Sequence, residues 1–72
     1  MQIIKKEIAE QLKNNSKAKH GLAYEFNVYV TTIDNWIKKN NDGNPTNLTN
    51  PSAIEIISKE LNIDKTQIFS ES

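Results

Sequence analysis

The chain has 72 residues, of which 36% are hydrophobic and 25% charged, and its mean hydropathy is −0.65. These values indicate one folded, soluble domain that is too short for a large enzyme. Because the chain has no cysteine, it can form neither a disulfide framework nor a thiolate metal site. We therefore expect a single domain over residues 1–72, stabilised by packed helices and assisted by dimerisation.

The charges are balanced overall but unevenly distributed. The chain has nine lysines and nine acidic residues but no arginine, so its net charge is zero. Residues 1–39 carry seven lysines and four acids, whereas residues 40–72 carry two lysines and five acids. The sequence therefore predicts a basic first half and an acidic second half. Two solvated surfaces of different charge would give the same pattern.

Apolar residues at helical spacing predict two helices before residue 28. One stripe recurs every four residues, at Ile4, Ile8 and Leu12. A second stripe comprises Ala18, Leu22, Ala23 and Phe26. Ser16 is the expected N-cap of the second helix. Asn27, a residue type that tolerates the left-handed conformation, is expected to end it.

A third helix is predicted after a short connector at residues 28–30. Thr31 and Asp34 have the spacing of a capping box, which would make Thr31 the N-cap. Ile33, Trp36 and Ile37 then lie on one helical face, so Trp36 is expected in the core.

The remaining elements are a loop and two further helices. Residues 40–50 are rich in asparagine and contain turn signals, which predict an exposed loop. Pro51 is expected to begin a fourth helix, closed by Asn62. Asp64 is expected to cap a last helical turn. With no convincing strand, the pattern predicts an all-α fold, a compact bundle of about five short helices.

Residues 19–38 have the pattern of two helices that cross at a tight turn. Such a crossing needs a small residue where the helices approach, and Ala23 supplies it. This part of the chain resembles the helix-turn-helix domains of the lambda-repressor and Cro-like family. Residues 22–28 (LAYEFNV) are similar to that family's Leu-Ala-x-x-Leu-Gly-Val stretch, and residues 32–37 (TIDNWI) to its recognition helix. Leu61-Asn62-Ile63-Asp64 with Ile68-Phe69 is similar to its closing segment.

The resemblance implies a lambda-repressor-like fold that binds double-stranded DNA as a small transcriptional regulator or repressor. Asn27 stands where the family has glycine, and Tyr29 where it has serine or threonine. Residues 40–50 form a longer loop than the family has. A homodimer would contact two half-sites about 34 Å apart.

The residue types on the predicted outer face suit this function. Asn35 can bond adenine through two hydrogen bonds, and Thr31 and Thr32 can contact base edges or thymine methyl groups. The groups expected at phosphates are Lys17, Lys19, Lys38, Lys39 and the hydroxyl of Tyr29.

Each of these residues also has a structural alternative. Lys38 and Lys39 could only complement a helix dipole, and Thr31 could only cap its helix. Asn35 could be merely solvated. Tyr29 could cover the core. Asp34 could be a capping acid; near phosphates its charge would be a mild cost unless it accepts a hydrogen bond from cytosine N4.

Other functions have less support. His20 is the only histidine and has no acid to orient it, so we expect no catalysis, no metal and no other cofactor. The main alternative is a protein-binding module, such as an antitoxin, that binds its partner through the acidic second half. Convergence of the four lysines on Thr31 and Asn35 would favour DNA, whereas dispersed lysines would favour the protein partner.

No apolar run is long enough for a signal peptide or a membrane span. A cytoplasmic protein without membrane contact is therefore expected.

Overall fold

The computed structural model describes residues 3–70, which are mostly helical. In chain order its elements are strand β1 (Ile3–Ile4), helices α1 (Lys6–Lys13), α2 (Ser16–Phe26) and α3 (Val30–Asn41), a first 3-10 turn (Asn47–Thr49), helix α4 (Pro51–Leu61), a second 3-10 turn (Lys65–Gln67) and strand β2 (Phe69–Ser70). The described part of the chain thus has four α-helices, and the fifth predicted helix is a single 3-10 turn. No helix within residues 3–70 could cross a membrane.

Helix α2 begins and ends on asparagine. Asn15 has an extended backbone, and its side-chain oxygen accepts from the backbone N–H of Ala18 at 3.0 Å. The prediction of Ser16 as the N-cap is wrong by one residue, because the Asn15 side chain already accepts from one of the unpaired N–H groups of the first turn. At the other end Asn27 is left-handed, with φ 54° and ψ 49°, as predicted.

The N-cap of helix α3 is Tyr29, two residues before the predicted cap Thr31. Tyr29 has an extended backbone, and its carbonyl accepts from the N–H groups of Thr32 at 2.9 Å and Ile33 at 3.4 Å. The first helical bonds therefore start at Tyr29, and Thr31 lies inside the first turn. The capping box predicted for Thr31 and Asp34 is wrong, since that turn has formed before either side chain could cap it.

The loop between α3 and α4 is shorter and better anchored than predicted. Asn40 and Asn41 are the last residues of α3 rather than loop residues. Leu48 is buried in the first 3-10 turn, where its N–H donates to the Thr46 hydroxyl at 3.1 Å. Leu48 is the one branched aliphatic side chain among residues 40–50, so its burial draws the segment onto the core.

Both ends of helix α4 agree with the sequence. Pro51 is its first residue, after an extended Asn50, and the left-handed Asn62 closes it. In the second 3-10 turn Asp64 is the N-cap, as predicted. The backbone N–H and the hydroxyl of Thr66 both donate to Asp64 Oδ1, at 2.9 and 2.8 Å. These two hydrogen bonds hold the pKa of the exposed Asp64 carboxyl below its ordinary value of 3.8.

The two ends of the described chain form a short antiparallel strand pair that the sequence did not predict. Ile3 pairs with Ser70 and Ile4 with Phe69. Ile4 was expected to begin the first helix because of its spacing from Ile8, but it lies in β1. The other edge of β1 meets a side chain: Asn40 Oδ1 accepts from the Ile4 N–H at 2.8 Å, and Asn40 Nδ2 donates to the Ile4 carbonyl at 2.9 Å.

The hydrophobic core receives side chains from all four α-helices and from the chain ends. It consists of Ile4, Ile8, Ala9, Leu12, Ala18, Leu22, Ala23, Ile33, Ile37, Leu48, Ala53, Ile54, Ile57 and Ile68. Trp36 lies on the Ile33–Ile37 side, as predicted, but it is half-buried at the edge of this core. Its ring meets Phe26 edge to face, with centroids 5.4 Å apart.

Replacement of Asn40 tests the link between α3 and β1. Asn40 is 1% exposed, so Asn40→Ala would leave the buried N–H and C=O of Ile4 without partners. We expect it to lower the free energy of unfolding by about 2–4 kcal/mol, measured by urea denaturation. The control is Asn44→Ala at an exposed loop position, which should change it by less than about 0.5 kcal/mol. Equal effects of the two variants would contradict the role of Asn40.

Candidate nucleic-acid interface

The packing of α2 on α3 determines which side of α3 faces outward. Ala23 of α2 is buried, as are Ile33 and Ile37 of α3. A helix that buries these two positions must turn its other side to solvent. Asn35 and Lys38 are accordingly exposed. An Asn35 side chain turned into the core could not contact DNA; in the structure Asn35 is exposed.

The predicted site residues are mostly accessible. The exposed ones are Lys17, Tyr29, Thr31, Asn35, Lys38 and Lys39, whereas Lys19 and Thr32 are half-buried. Tyr29 is 83% exposed, which argues against the alternative that it covers the core. Together with Thr32 and the backbone turn at Asn27 and Val28, Tyr29 lines a shallow depression at the start of α3.

Lys19 and Asp34 form an ion pair that the sequence did not predict. Lys19 Nζ lies 3.0 Å from Asp34 Oδ1 and joins the first half of α2 to the outer side of α3. The Lys19 side chain is only 17% exposed, whereas that of Asp34 is 45% exposed. The expected role of Asp34 as a capping acid is therefore wrong, because its carboxylate accepts from Lys19. Lys19 in turn is directed at Asp34 instead of standing free in solvent.

A groove lined mostly by polar residue types runs between the end of α1, the start of α2 and the outer side of α3. Its volume is about 580 Å³. It is lined by Lys13, Asn14, Lys19, Asp34, Asn35, Ile37, Lys38, Asn41 and Asp42, and is called the α1–α3 groove below. Three lysines and two aspartates give this groove an excess of one positive formal charge, although the whole chain is neutral.

Four of the polar groove residues were missed by sequence reasoning, namely Lys13, Asn14, Asn41 and Asp42. Lys13 ends α1, and its position on the groove follows from the packing of α1 against α3. A helix-terminal lysine carries no sequence signal beyond favouring the dipole. Within residues 3–70, Asn41 Oδ1 is buried without a hydrogen-bond partner.

The four lysines expected to converge do so only in part. Lys19 and Lys38 line the α1–α3 groove together with Asn35. Lys17 instead lies beside α4, where its Nζ is 3.9 Å from Glu60 Oε2. Lys39 is exposed next to Lys38. The surface that combines lysines with Asn35 is thus centred on α3 and the end of α1.

The acidic residues of the second half are partly engaged within the chain. Glu55 Oε2 lies 3.0 Å from Lys65 Nζ, and Glu60 faces Lys17. No three His, Cys, Asp or Glu side chains among residues 3–70 are grouped as a metal ion would require.

Comparison of the chain with protein-family models, with curated proteins and with solved structures finds no match.

A double-mutant cycle measures the strength of the Lys19–Asp34 pair. From Lys19→Ala, Asp34→Ala and the double variant, we expect a coupling energy of about 0.5–1 kcal/mol at low salt, decreasing at 1 M salt. The Lys65–Glu55 pair is the matched control, since it has the same 3.0 Å separation but a Lys65 side chain that is 54% exposed. We expect weaker coupling there because solvent screens it more. Stronger coupling in the exposed pair would contradict the assignment.

Proposed function

We propose that the protein binds double-stranded DNA sequence-specifically, with α3 in the major groove. The proposal rests on the polar and basic side chains exposed on the outer side of α3. There Thr31, Asn35 and Lys38 are exposed together beside a groove to which Lys13 contributes a further cation. This side combines hydrogen-bonding groups for base edges with cations for the flanking phosphates.

The dimensions of α3 suit the major groove. Its 12 residues give a helix about 18 Å long, and the major groove of B-DNA admits one α-helix. In the proposed complex the N-terminal half of α3 contacts bases, through Thr31, Thr32 and Asn35. Lys38, Lys39 and the Tyr29 hydroxyl contact phosphates, with Lys17 at the outer edge.

We further propose that the fold is of the lambda-repressor-like class. Its support is the α2–α3 pair: Asn27 between the two helices is left-handed, and Ala23 and Ile33 are buried. The longest extent of the domain is 29 Å, enough to cover one half-site. A homodimer would therefore be needed to occupy two half-sites about 34 Å apart. Occupancy of such a site would regulate transcription without catalysis.

The protein-binding alternative receives less support. It relied on an acidic second half free to meet a partner, but the Glu60 side chain beside Lys17 is only 20% exposed, whereas that of Glu55 stays 71% exposed in its pair with Lys65. In vitro selection from random duplexes at two salt concentrations separates the two functions. DNA binding predicts an enriched sequence, with a two-fold repeat if the protein is a dimer. The absence of enrichment at both salt concentrations would refute the proposal.

The phosphate contacts predict a specific salt dependence. The double substitution Lys38→Ala/Lys39→Ala should weaken binding to all duplexes and reduce the slope of log K against log salt by up to about two. Lys59→Ala/Lys65→Ala is the charge-matched control on α4 and the turn after it. It should change the slope less, because those lysines lie outside the proposed interface. Identical slopes for the two double variants would exclude local phosphate contacts by Lys38 and Lys39.

The base contact of Asn35 predicts a loss of preference at one base pair. We expect Asn35→Ala to cost about 1–3 kcal/mol on the selected sequence and to leave binding to unrelated duplexes nearly unchanged. Competition binding with a single-base-pair substitution series locates the position. A uniform loss across all sequences would instead mean that Asn35 contacts the DNA backbone or supports the fold.

A further inference from the structure

Asp34 is the one acidic residue of α3, and it is exposed on the outer side of the helix that the proposed function turns toward DNA. It is three residues after Thr31 and four before Lys38, and these spacings place all three on one helical face. If that face meets DNA, the carboxylate lies in the negative potential of the phosphates. An uncompensated aspartate there would weaken binding to every sequence.

The Lys19–Asp34 pair supplies the compensation. Lys19 Nζ donates to Asp34 Oδ1 at 3.0 Å, and the low exposure of Lys19 limits the movement of its ammonium group. Within residues 3–70 no group donates to the second oxygen, Oδ2, and the Asp34 side chain remains 45% exposed. The pair therefore presents a neutralised carboxylate with one oxygen available to an outside donor.

An aspartate oxygen that only accepts hydrogen bonds discriminates among the four base edges. In the major groove cytosine presents the N4 amino donor, whereas guanine presents two acceptors, N7 and O6. Adenine places its N7 acceptor beside its N6 donor, and thymine presents an acceptor and a methyl group. A carboxylate is repelled by each acceptor, so cytosine is the base that it suits best.

We propose, on the basis of the proposed DNA-binding function, that Asp34 is a specificity-determining residue that selects a C·G pair. Lys19 is then a positioning residue that holds and neutralises Asp34, and is not a phosphate contact. Asn35, the next residue, contacts a different base. Together the two side chains give α3 a preference for cytosine at one position and for adenine at another.

The test begins with the sequence that the unsubstituted protein selects from random duplexes. We expect a cytosine at one position of each half-site. Asp34→Ala should reduce discrimination at that position by between about 5-fold and 150-fold and leave the other positions unchanged. Asp34→Asn should shift the preference there toward adenine, because an amide can both donate to N7 and accept from N6.

A chemically modified duplex tests the contact directly. N4-methylcytosine at that position removes or blocks the amino donor that faces the major groove. It should weaken binding of the unsubstituted protein and leave Asp34→Ala unaffected. Equal sensitivity of the two proteins would overturn the proposed contact.

A charge-reversed pair separates base recognition from a purely structural role. Lys19→Asp/Asp34→Lys keeps an ion pair between α2 and α3, and far-UV circular dichroism with thermal unfolding verifies that the variant folds. The exchange should move the preference from cytosine toward guanine, since a lysine donates to N7 and O6. Retention of the cytosine preference, or a uniform loss with Asp34→Ala, would overturn the proposal. If the unsubstituted protein enriches no duplex at all, the proposed DNA-binding function fails, which is a different result from an enriched sequence indifferent to Asp34.

Discussion

The orientation of α3 depends on one buried hydrogen-bonded contact between Asn40 and Ile4. The Asn40 amide meets both backbone groups of Ile4, at 2.8 and 2.9 Å, and so acts as the neighbour that β1 lacks on one edge. The opposite edge of β1 pairs with β2, which links the last turn of α3 to both ends of the described chain. Because a buried polar group is costly without a partner, this contact permits little rotation of α3.

This restraint matters for the outer side of α3. Successive helix residues differ by about 100° around the axis, so a roll of α3 through a comparable angle would exchange exposed and buried positions, and a smaller roll would already redirect the exposed side chains. Ile33 and Ile37 hold the middle of the helix against α2 and α1, and Asn40 holds its end. With three successive turns fixed, Asn35 and Lys38 point in a defined direction. Recognition of a base edge by one amide requires such preorganisation.

Local signals predicted the helix boundaries well where one residue decides the geometry. Asn27 and Asn62 are left-handed and Pro51 starts α4, as their residue types indicate. The two misplaced N-caps, Ser16 and Thr31, are local errors of one and two residues, whereas the misassigned Asn40 and Ile4 have their cause in a long-range contact. Asn40 resembled a loop residue, and Ile4 a helical one, because the hydrogen bonds between them span 36 positions. No local propensity contains that information.

The same distinction applies to the candidate site, where residue types were predictable and pairings were not. Lys19 and Asp34 were both expected near α3, but as a phosphate contact and a capping acid. Their pairing across 15 positions changes what each could do in the proposed complex, where Lys19 would no longer contact a phosphate and Asp34 would present a neutralised carboxylate. The local charge of the α3 surface therefore cannot be judged from the zero net charge of the chain. It depends on which lysines stay free of acidic partners, and on α3 these are Lys38 and Lys39, for which the described residues provide no ion pair.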